Sequence, residues 1–518
     1  MANKSVFAAI AGKLLPQADT TNHALAPAYK LTPREALAQL AVTGTFNTTF
    51  YADAQEQLTS VLDLSREVEP EFLAKLAVYA FETGHMKDMP ALLLALLSTL
   101  PGDGFTKAFP RIVRNGKMLR NFVQIMRSGV VGRKSLGTRP KRLVQNWLEQ
   151  ASDVEIMRAA VGNAPSLSDV IKMVHPKPGS PGRRALYAYL IGKPYDVSVL
   201  PALAQAFEAF KRDPSLPVPA VPFQMLTALE LTPAHWVEIA GTAGWQMLRQ
   251  NLNTFARQGV FKVEGFAERL AARLRDPAEV RRARVFPYQL MVSFAATEAT
   301  VPAVVRDALQ DAMEIALDNV PRLEGKVVIC PDVSGSMGSP ATGYRKGATS
   351  SVRCIDVAAL VAAAFLRRNP QTRVMPFEQG VVNITLNARD SVMTNAARLA
   401  AIGGGGTNCS APLAQLVAER AKVDLVVFVS DNESWMDPSP ASQRGTAAMA
   451  EWEKLKRGNP GAKLVCIDLQ PYATTQVQSR DDILNVGGFS DTVFDVIGSM
   501  LAGGGGDRWI KTIEAVEL

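Results

Sequence analysis

The feature that most constrains the fold is a short apolar run that ends in a polar loop. Residues 327–331 are apolar, with β-branched residues leading, and Asp332, Ser334 and Ser336 follow at alternate positions. A run of this length, followed by a polar segment that contains glycine, is typical of a buried β-strand. The sequence therefore predicts a strand whose carboxyl end carries one carboxylate and two hydroxyls.

Two later segments supply side chains of the same kind. The glycine-rich residues 403–408 contain Thr407, and the strand-like residues 424–430, apolar from 425 to 429, lead to Asp431. Hard cations such as Mg²⁺ prefer oxygen ligands in near-octahedral geometry and keep some of their waters. Asp-x-Ser-x-Ser on its own is more often a polar turn, but three such segments in order favour a metal site. The candidate metal residues are Asp332, Ser334, Ser336, Thr407 and Asp431.

Strand-like and helical segments alternate in this last part of the chain. Further strand-like runs lie at residues 372–377 and 464–469, and a helix is predicted over residues 354–367. This alternation predicts a doubly wound parallel sheet of the α/β class. Ligands gather at the carboxyl ends of the strands in such sheets, where the Asp332 and Asp431 loops fall.

The first part of the chain shows helical periodicity almost throughout residues 31–320. Cap residues followed by proline or by acidic residues mark helix starts, as at Thr32, Ser152 and Thr232. Turns rich in glycine and proline separate pairs of helices, which predicts a HEAT-like array of helical pairs. The predicted domains are thus a helical module in residues 1–322 and an α/β domain in residues 323–518.

Composition restricts the class of protein. Apolar residues make up 47% of the 518 residues and charged residues 20%, which is ordinary for a globular protein. No run reaches the ~18–20 apolar residues that a bilayer span needs, so no membrane segment is expected. The four cysteines lie in the last third without Cys-x-x-Cys spacing, which favours buried thiols in a reducing compartment and a cytoplasmic location.

The net charge of +7 is carried by the first part. Residues 1–322 contain 37 Lys and Arg against 29 Asp and Glu, or +8, and residues 323–518 contain 19 against 20, or −1. Residues 104–145 hold eleven cationic side chains and no acidic one, which favours a phosphate-binding surface over a solvated face. The four from Arg111 to Arg120 recur at intervals of three and are expected along one side of a helix. The candidates are Lys107, Arg111, Arg114, Lys117, Arg120, Arg127, Arg133, Lys134, Arg139, Lys141 and Arg142.

A second basic group surrounds His175. This histidine follows an amphipathic segment and opens a proline-rich turn, with Lys172 and Lys177 beside it. A lone histidine in such a place is more often a cap or a packing residue than a functional one. Spacing alone therefore leaves both roles open for His175.

An ordered set of segments resembles the Ro autoantigen family, whose helical RNA-binding part is called the TROVE module. The segments are residues 41–51, 136–147, 169–178, 247–252 and 285–288, followed by a part that resembles a von Willebrand A domain. The resemblance implies a ring of HEAT-like repeats that the A domain closes. It also implies binding of small non-coding Y RNAs on the outer basic surface, and of single-stranded 3′ ends of misfolded RNAs through the hole.

The resemblance further assigns roles to individual residues. His175, beside Lys172 and Lys177, occupies the position that the family associates with Y RNA binding. The five oxygen-bearing residues resemble a metal-ion-dependent adhesion site. In that site the two serines and the threonine ligate the ion, while the aspartates act largely through water. Mg²⁺ is the expected cation.

Catalysis is not expected, because the four histidines are scattered and none is paired with a serine nucleophile by sequence pattern. The preferred hypothesis is an RNA-binding scaffold in RNA quality control or processing. Its metal site would dock an acidic protein such as a nuclease or another RNA-processing protein. The alternative is a metal-dependent protein-interaction module that assists a chelatase or ATPase and binds no RNA. A weaker third hypothesis is a metal-dependent phosphoesterase, whose turnover would be lost in Asp332→Ala.

Overall fold

The chain forms two compact units in a computed structural model that describes residues 15–283, 285, 287–317, 320, 322–344, 352–436, 445–487, 497, 498, 500 and 508–518. The sheet unit comprises the described residues of Met1–Glu67, Phe286–Val292 and Ala316–Thr512. The helical unit comprises those of Val68–Val285, Ser293–Ile315 and Ile513–Leu518.

A largely helical stretch precedes an α/β stretch in the order of elements, which confirms the predicted fold class. The chain begins with β1 (Thr20–Thr21), β2 (Pro27–Lys30), α1 (Pro33–Thr43) and α2 (Ala54–Arg66). The helices that follow are α3 (Pro70–Glu82), α4 (Asp88–Leu97), α5 (Gly104–Ile112), α6 (Gly116–Ser128), α7 (Thr138–Gln150), α8 (Asp153–Ala159), α9 (Leu167–Val174), α10 (Pro181–Ile191), α11 (Ala202–Arg212), α12 (Phe223–Leu226), α13 (Pro233–Thr242), α14 (Trp245–Gln250), α15 (Leu252–Arg257), α16 (Phe266–Leu274), α17 (Pro277–Ala283), α18 (Pro287–Ala295) and α19 (Ala303–Ala316). The α/β stretch contains β3 (Val327–Pro331), α20 (Cys354–Arg368), β4 (Arg373–Val374), α21 (Val392–Ala400), α22 (Ala411–Ala418), β5 (Leu425–Ser430), α23 (Ala447–Gly458), β6 (Lys463–Asp468), β7 (Thr474–Thr475), β8 (Ile483–Gly487) and α24 (Arg508–Glu514).

Helix starts follow the predicted caps. Thr32, Ser152 and Thr232 each form a capping box, in which the cap hydroxyl accepts the N–H of the third helical residue and that residue's side chain returns to the cap N–H. Reciprocal bonds of this kind satisfy two donors that a helix start otherwise leaves unpaired. Ser166 forms the same kind of capping box at the start of α9, the helix that leads to His175.

The main sheet is parallel and has the strand order β4–β3–β5–β6–β8 within the described part of the chain. The pairing of Val327 with Leu425 and of Pro331 with Val429 aligns the carboxyl ends of β3 and β5. From β3 the chain crosses through α20 to β4 on one side, and from β5 it crosses through α23 to β6 on the other. The loops after β3 and β5 therefore diverge at a topological switch point, the usual ligand position in such sheets.

The two compact units do not coincide with the predicted domains, which were residues 1–322 and 323–518. The difference is that the first 67 residues group with the sheet. Strand β2 pairs antiparallel with β1 and with β7, and Tyr29 lies opposite Thr475. Helix α1 also approaches β8 closely, since a Cβ on Gly487 would lie 2.5 Å from Oγ1 of Thr43. Only glycine allows this approach of helix to strand.

Each unit has its own aromatic core. In the sheet unit the rings of Phe377 and Phe428 lie 5.4 Å apart beside the fully buried Trp452. In the helical unit Phe105, Phe109 and Phe122 pack together with centroids 5.4–5.9 Å apart. All four cysteines are free and buried, as predicted. Among the described residues, no helix is both long and apolar enough to span a bilayer.

Candidate nucleic-acid interface and candidate metal centre

The predicted basic run is distributed over several helices of the helical unit. Arg111 lies in the last turn of α5, whereas Lys117 and Arg120 belong to α6. The expectation that residues from Arg111 to Arg120 share one side of a helix is therefore wrong. The helix is interrupted because the Asn115 side chain accepts the N–H of Met118 and starts a new helix.

Acidic residues outside the run neutralise its first cations. Arg111 donates to both carboxylate oxygens of Glu82, at 3.1 and 2.6 Å, and Arg114 pairs with the same carboxylate. The hydrogen bond from Arg111 is the largest cause that lowers the pKa of Glu82. Lys107 lies 2.9 Å from Oδ2 of Asp103. These three cations are therefore less available for phosphate than the sequence suggested.

Two further arginines have structural contacts. Arg139 donates to the carbonyl oxygens of Ser98, Leu100 and Gly102. The guanidinium of Arg120 is half-buried, and burial lowers its pKa. We assign both side chains mainly to the packing of the helical unit.

The remaining predicted cations face solvent to different degrees. Arg133 and Lys141 are half-buried. None of the exposed members forms a salt bridge with another described residue. These exposed members are Lys117, Arg127, Lys134, Arg142, Lys172, His175 and Lys177.

Arg127 and Lys172 come together in an open cleft of about 660 Å³ that Gln124, Ser128 and Met173 also line. Arg127 comes from α6 and Lys172 from α9. Asp169 lies in the same cleft, but its Oδ2 accepts the N–H and the hydroxyl of Ser166. The neutral Gln124 and Ser128 were not predicted, because uncharged residues do not stand out within a basic run.

His175 ends α9 as an exposed cap in the left-handed conformation, with φ of 53°. The side chain of Gln145 donates to the carbonyl of the preceding Val174 at 2.6 Å. This contact holds the turn beside α7, so the imidazole projects from a fixed backbone. Lys177 follows in the same exposed segment.

In the sheet unit, Asp332 organises the loop after β3. Its Oδ1 accepts the N–H of Ser334 at 2.8 Å, and its Oδ2 accepts the hydroxyl of Ser430 at 2.6 Å. The Ser334 and Ser336 hydroxyl oxygens lie 3.4 Å apart. Ser430, at the end of β5, was missed as a site residue, because a serine that ends a strand carries no distinctive spacing.

The glycine-rich loop brings Thr407 to the same place. Gly335 donates to the carbonyl of Gly405 at 2.8 Å, which ties this loop to the one after β3. The carbonyl of Thr407 accepts the N–H groups of Trp435 and Met436 at 3.0 and 2.9 Å, just beyond Asp431. The structure therefore brings all five predicted metal residues together at the ends of β3 and β5.

Hydrogen bonds compensate only in part for the burial of the two carboxyl groups of this cluster. Burial is the main cause that raises the pKa of Asp332, and with the nearby Asp332 charge it raises the pKa of Asp431 to about 7. Glu433 donates its N–H to Oδ1 of Asp431 at 3.3 Å, but no described residue donates to Oδ2 with good hydrogen-bond geometry. The nearby Ser336 hydroxyl only partly offsets the pKa increase.

These donors fit a hard divalent cation. An orphaned buried carboxylate oxygen, clustered hydroxyls and a second buried carboxylate are the groups that Mg²⁺ or Mn²⁺ would satisfy. Within the described residues no cluster of three or more His, Cys, Asp or Glu side chains is placed to hold a metal ion, so a cation at this centre would depend on the serine and threonine oxygens.

An aromatic group from the first 67 residues lies against this centre. The ring of Tyr51 lies 6.0 Å from that of His23 and 5.6 Å from that of Tyr472, centroid to centroid. His23 donates its backbone N–H to Glu433 at 2.9 Å, and its pKa is raised chiefly by a hydrogen bond with that carboxylate. Tyr51 and His23 were not predicted, because nothing near them in sequence suggests a metal site.

This chain is similar to known proteins in its sequence and in its fold. Residues 326–501 match the family model described as the Ro60 vWA domain. The chain is 25% identical to the RNA-binding protein RO60 of Deinococcus radiodurans, over 94% of this chain and 96% of that protein. It is also 21% identical to the RNA-binding protein RO60 of Caenorhabditis elegans, over 46% of this chain and 37% of that protein.

A solved structure shows the same fold. The crystal structure of the Deinococcus radiodurans RO (RSR) protein superimposes with a TM-score of 0.63 at 23% identity. The match covers 91% of this chain and 99% of that one. The resemblance to the Ro autoantigen family that the sequence predicted is thus confirmed along most of the chain, and its last part carries a von Willebrand A domain of the Ro60 type.

Proposed function

We propose that this chain is a non-catalytic RNA-binding scaffold whose helical unit grips RNA mainly through its phosphates. The observation that carries this proposal is the cleft between α6 and α9, in which Arg127 and Lys172 face solvent without salt-bridge partners among the described residues. Exposed cations on a fixed scaffold bind phosphate and release counterions. The relatives named as RNA-binding proteins support the same function.

Within this function we propose two kinds of RNA. Small non-coding, Y-like RNA binds around the cleft and His175, and single-stranded 3′ ends of misfolded RNA bind as a second ligand. The expected role is RNA quality control or processing in the cytoplasm. Neutralisation of about five phosphates on a single strand corresponds to a log–log salt slope near −3.5.

The metal centre has a separate proposed role. Ser334, Ser336 and Thr407 would hold Mg²⁺ directly, with Asp332 and Asp431 acting largely through water. When bound, the cation supplies an open coordination position for an acidic side chain of a protein partner, such as a nuclease or another RNA-processing protein. The protein's own part is to keep the hydroxyls together and to orient Asp332 through Ser334 and Ser430.

Fluorescence anisotropy tests the proposed function. The ligand is a hairpin RNA with a single-stranded 3′ tail, measured at two salt concentrations with and without Mg²⁺. We expect tight binding that weakens roughly a hundredfold over a fourfold rise in salt and changes little with Mg²⁺. No binding at low salt would reject the RNA hypothesis and favour the metal-dependent protein-interaction module.

A separate measurement tests the proposed role of His175 in binding structured RNA. In His175→Ala the affinity for the hairpin should fall more than the affinity for an isolated single-stranded tail, because the exposed cap lies near the cleft. Equal losses on both RNAs would reject the assignment of His175 to structured RNA.

A further inference from the structure

The cleft between α6 and α9 presents more chemistry than the two cations that the proposed function uses. Each helix contributes three lining side chains at positions i, i+3 and i+4, which share one face of a helix. The six are Gln124, Arg127, Ser128, Asp169, Lys172 and Met173. A cleft of about 660 Å³ is within the range of pockets that hold small ligands, so it can take a nucleotide unit of an RNA chain.

The carboxylate of Asp169 is held in a fixed orientation at this cleft. Ser166 donates both its N–H, at 2.9 Å, and its hydroxyl, at 2.7 Å, to Oδ2 of Asp169. The N–H of Asp169 returns to the Ser166 hydroxyl oxygen at 3.1 Å. The hydrogen bond from the Ser166 side chain is the largest cause that lowers the pKa of Asp169, so the carboxylate is ionised at neutral pH. No described residue donates to Oδ1, which is therefore an oriented acceptor at the cleft.

A carboxylate does not serve phosphate binding, because two anions repel each other. The groups of RNA that suit it are the N–H donors on base edges. The exposed amide of Gln124 faces the same cleft from α6 and forms no hydrogen bond with another described residue. Nη1 of Arg127 lies 3.8 Å from the sulfur of Met173, and a thioether is a favourable neighbour for an aromatic ring. The cleft thus combines phosphate-binding cations with groups that suit a base.

Guanine matches this set of groups best. Its N1–H and 2-amino groups are two adjacent donors, whereas adenine, cytosine and uracil each have a single donor group on the corresponding edge, with an acceptor beside it. A single acceptor oxygen of a carboxylate can receive both guanine donors, since it has two lone pairs. The O6 and N7 atoms of guanine are acceptors, and cationic side chains commonly bind them. Lys172 and Gln124 supply donors for these atoms.

We propose that the cleft between α6 and α9 is a base-reading subsite, in which Oδ1 of Asp169 accepts the N1–H and 2-amino groups of an unpaired guanine while Arg127 and Lys172 bind neighbouring phosphates. This inference rests on the proposed RNA-binding function and adds a specificity-determining residue to it. The cations bind RNA of any sequence, and Asp169 adds a preference at one position.

A series of RNAs that differ in one nucleotide tests the proposal. The probe is a hairpin with a uridine loop in which one position carries guanine, inosine, adenine, cytosine or uracil, and fluorescence anisotropy measures its affinity for the full chain at constant salt. We expect the guanine RNA to bind about 10-fold more tightly than the adenine and uracil RNAs. Inosine should lie between them, because it lacks the 2-amino group. Equal affinities for all five RNAs, or a preference for another base, would overturn the proposal.

Asp169→Asn tests the residue itself. The amide oxygen of asparagine can still accept from Ser166, and its NH₂ group then replaces the acceptor at the cleft. We expect the guanine and adenine RNAs to bind this variant within about twofold of each other, with no loss of affinity for the adenine RNA. Glu155→Gln is the matched control, because Glu155 is the exposed carboxylate of the capping box that begins α8 and does not line the cleft. The control should keep the preference for guanine.

The remaining outcomes separate this inference from the proposed function. If the wild type binds none of the RNAs, both fail, whereas tight binding of all five without preference overturns only the base-reading role. Asp169→Asn that keeps the guanine preference, or Glu155→Gln that loses it, also overturns that role. If Asp169→Asn does not fold, 1-methylguanine at the same loop position of the RNA gives the answer in the wild type. It lacks the N1–H donor, and an affinity equal to that of guanine would reject the proposed contact.

Discussion

The cleft of the helical unit and the metal centre of the sheet unit differ most in how the fold holds their polar groups. Around the cleft, Arg127 and Lys172 extend into solvent from two helices and form no salt bridge with another described residue. In the metal centre, Asp332 and Ser334 are buried, and Asp332 uses both oxygens in hydrogen bonds. The first arrangement would tolerate many ligand shapes, whereas the second would select an ion of one size and charge.

The two arrangements also respond differently to substitution. Several exposed cations each contribute to phosphate binding, so the loss of one weakens RNA binding by a limited factor. Buried ligands act together around a single ion, so the loss of one removes most of the affinity.

Asp332→Asn should lower Mn²⁺ affinity by at least about 100-fold, because it removes a buried charge beside the ion. RNA affinity of the same variant should remain within about twofold of the wild type, since the exposed cations of the cleft are untouched. Calorimetry with Mn²⁺ and anisotropy with the tailed hairpin measure the two effects. Asp424→Asn is the matched control, because Asp424 accepts the N–H of Lys326 before the start of β5, away from the centre. A joint loss of cation and RNA binding in Asp332→Asn would contradict the separation of the two sites.

The double variant Arg127→Ala/Lys172→Ala should weaken RNA binding by about 10- to 100-fold at low salt and make the log–log salt slope shallower by about 1.4. Each cation is expected to contribute one phosphate contact. Anisotropy at several salt concentrations measures both quantities. Lys193→Ala/Lys262→Ala removes two exposed lysines of the helical unit that do not line the cleft. Equal effects of the two double variants would indicate a diffuse surface and not a defined cleft.

Glu82→Gln should destabilise the helical unit by about 0.5–1 kcal/mol at neutral pH, because it breaks a partly exposed ion-pair network with Arg111 and Arg114. The pKa of Glu82 is lowered in the folded state, so its stabilisation is complete above the ordinary pKa of glutamate and is lost as the pH falls through the lowered value. Denaturant unfolding at neutral and acidic pH should therefore show a difference between wild type and variant that disappears in acid.

The same substitution tests whether Arg111 and Arg114 contribute to RNA binding. RNA affinity of Glu82→Gln should not fall, since the change releases two arginines that the carboxylate had engaged. A marked loss of RNA affinity would mean that the paired arginines themselves form part of the interface.

The proximity of the candidate metal residues could be predicted from sequence because it follows from short segments of the chain. A buried strand followed by Asp332, and another followed by Asp431, places both loops at the same edge of a parallel sheet. The register of β3 against β5 then confirms their proximity. Thr407 could be added because its glycine-rich loop is equally distinctive in the sequence.

The cationic surface was only partly predictable, because the partners of its side chains lie elsewhere. Glu82 precedes the basic run and pairs with Arg111 and Arg114, and the carbonyl oxygens that hold Arg139 belong to residues 98–102. Tyr51 could not be predicted at all. Its position depends on contacts with residues about three hundred places further along the chain, such as the one from Asn47 to Thr342.

The attachment of the first 67 residues to the sheet unit has a consequence for how the protein is made. Asn22 donates to the carbonyl of Ser434 across 412 positions, and β2 pairs with β7 near residue 475. During synthesis the segment that contains β1 and β2 lacks these partners until residues 434 and 475 have left the ribosome. Pairings of such high contact order form late and leave a strand unsatisfied in the meantime. The pairing of β2 with β7 would thus be among the last contacts of the sheet unit to form on the ribosome.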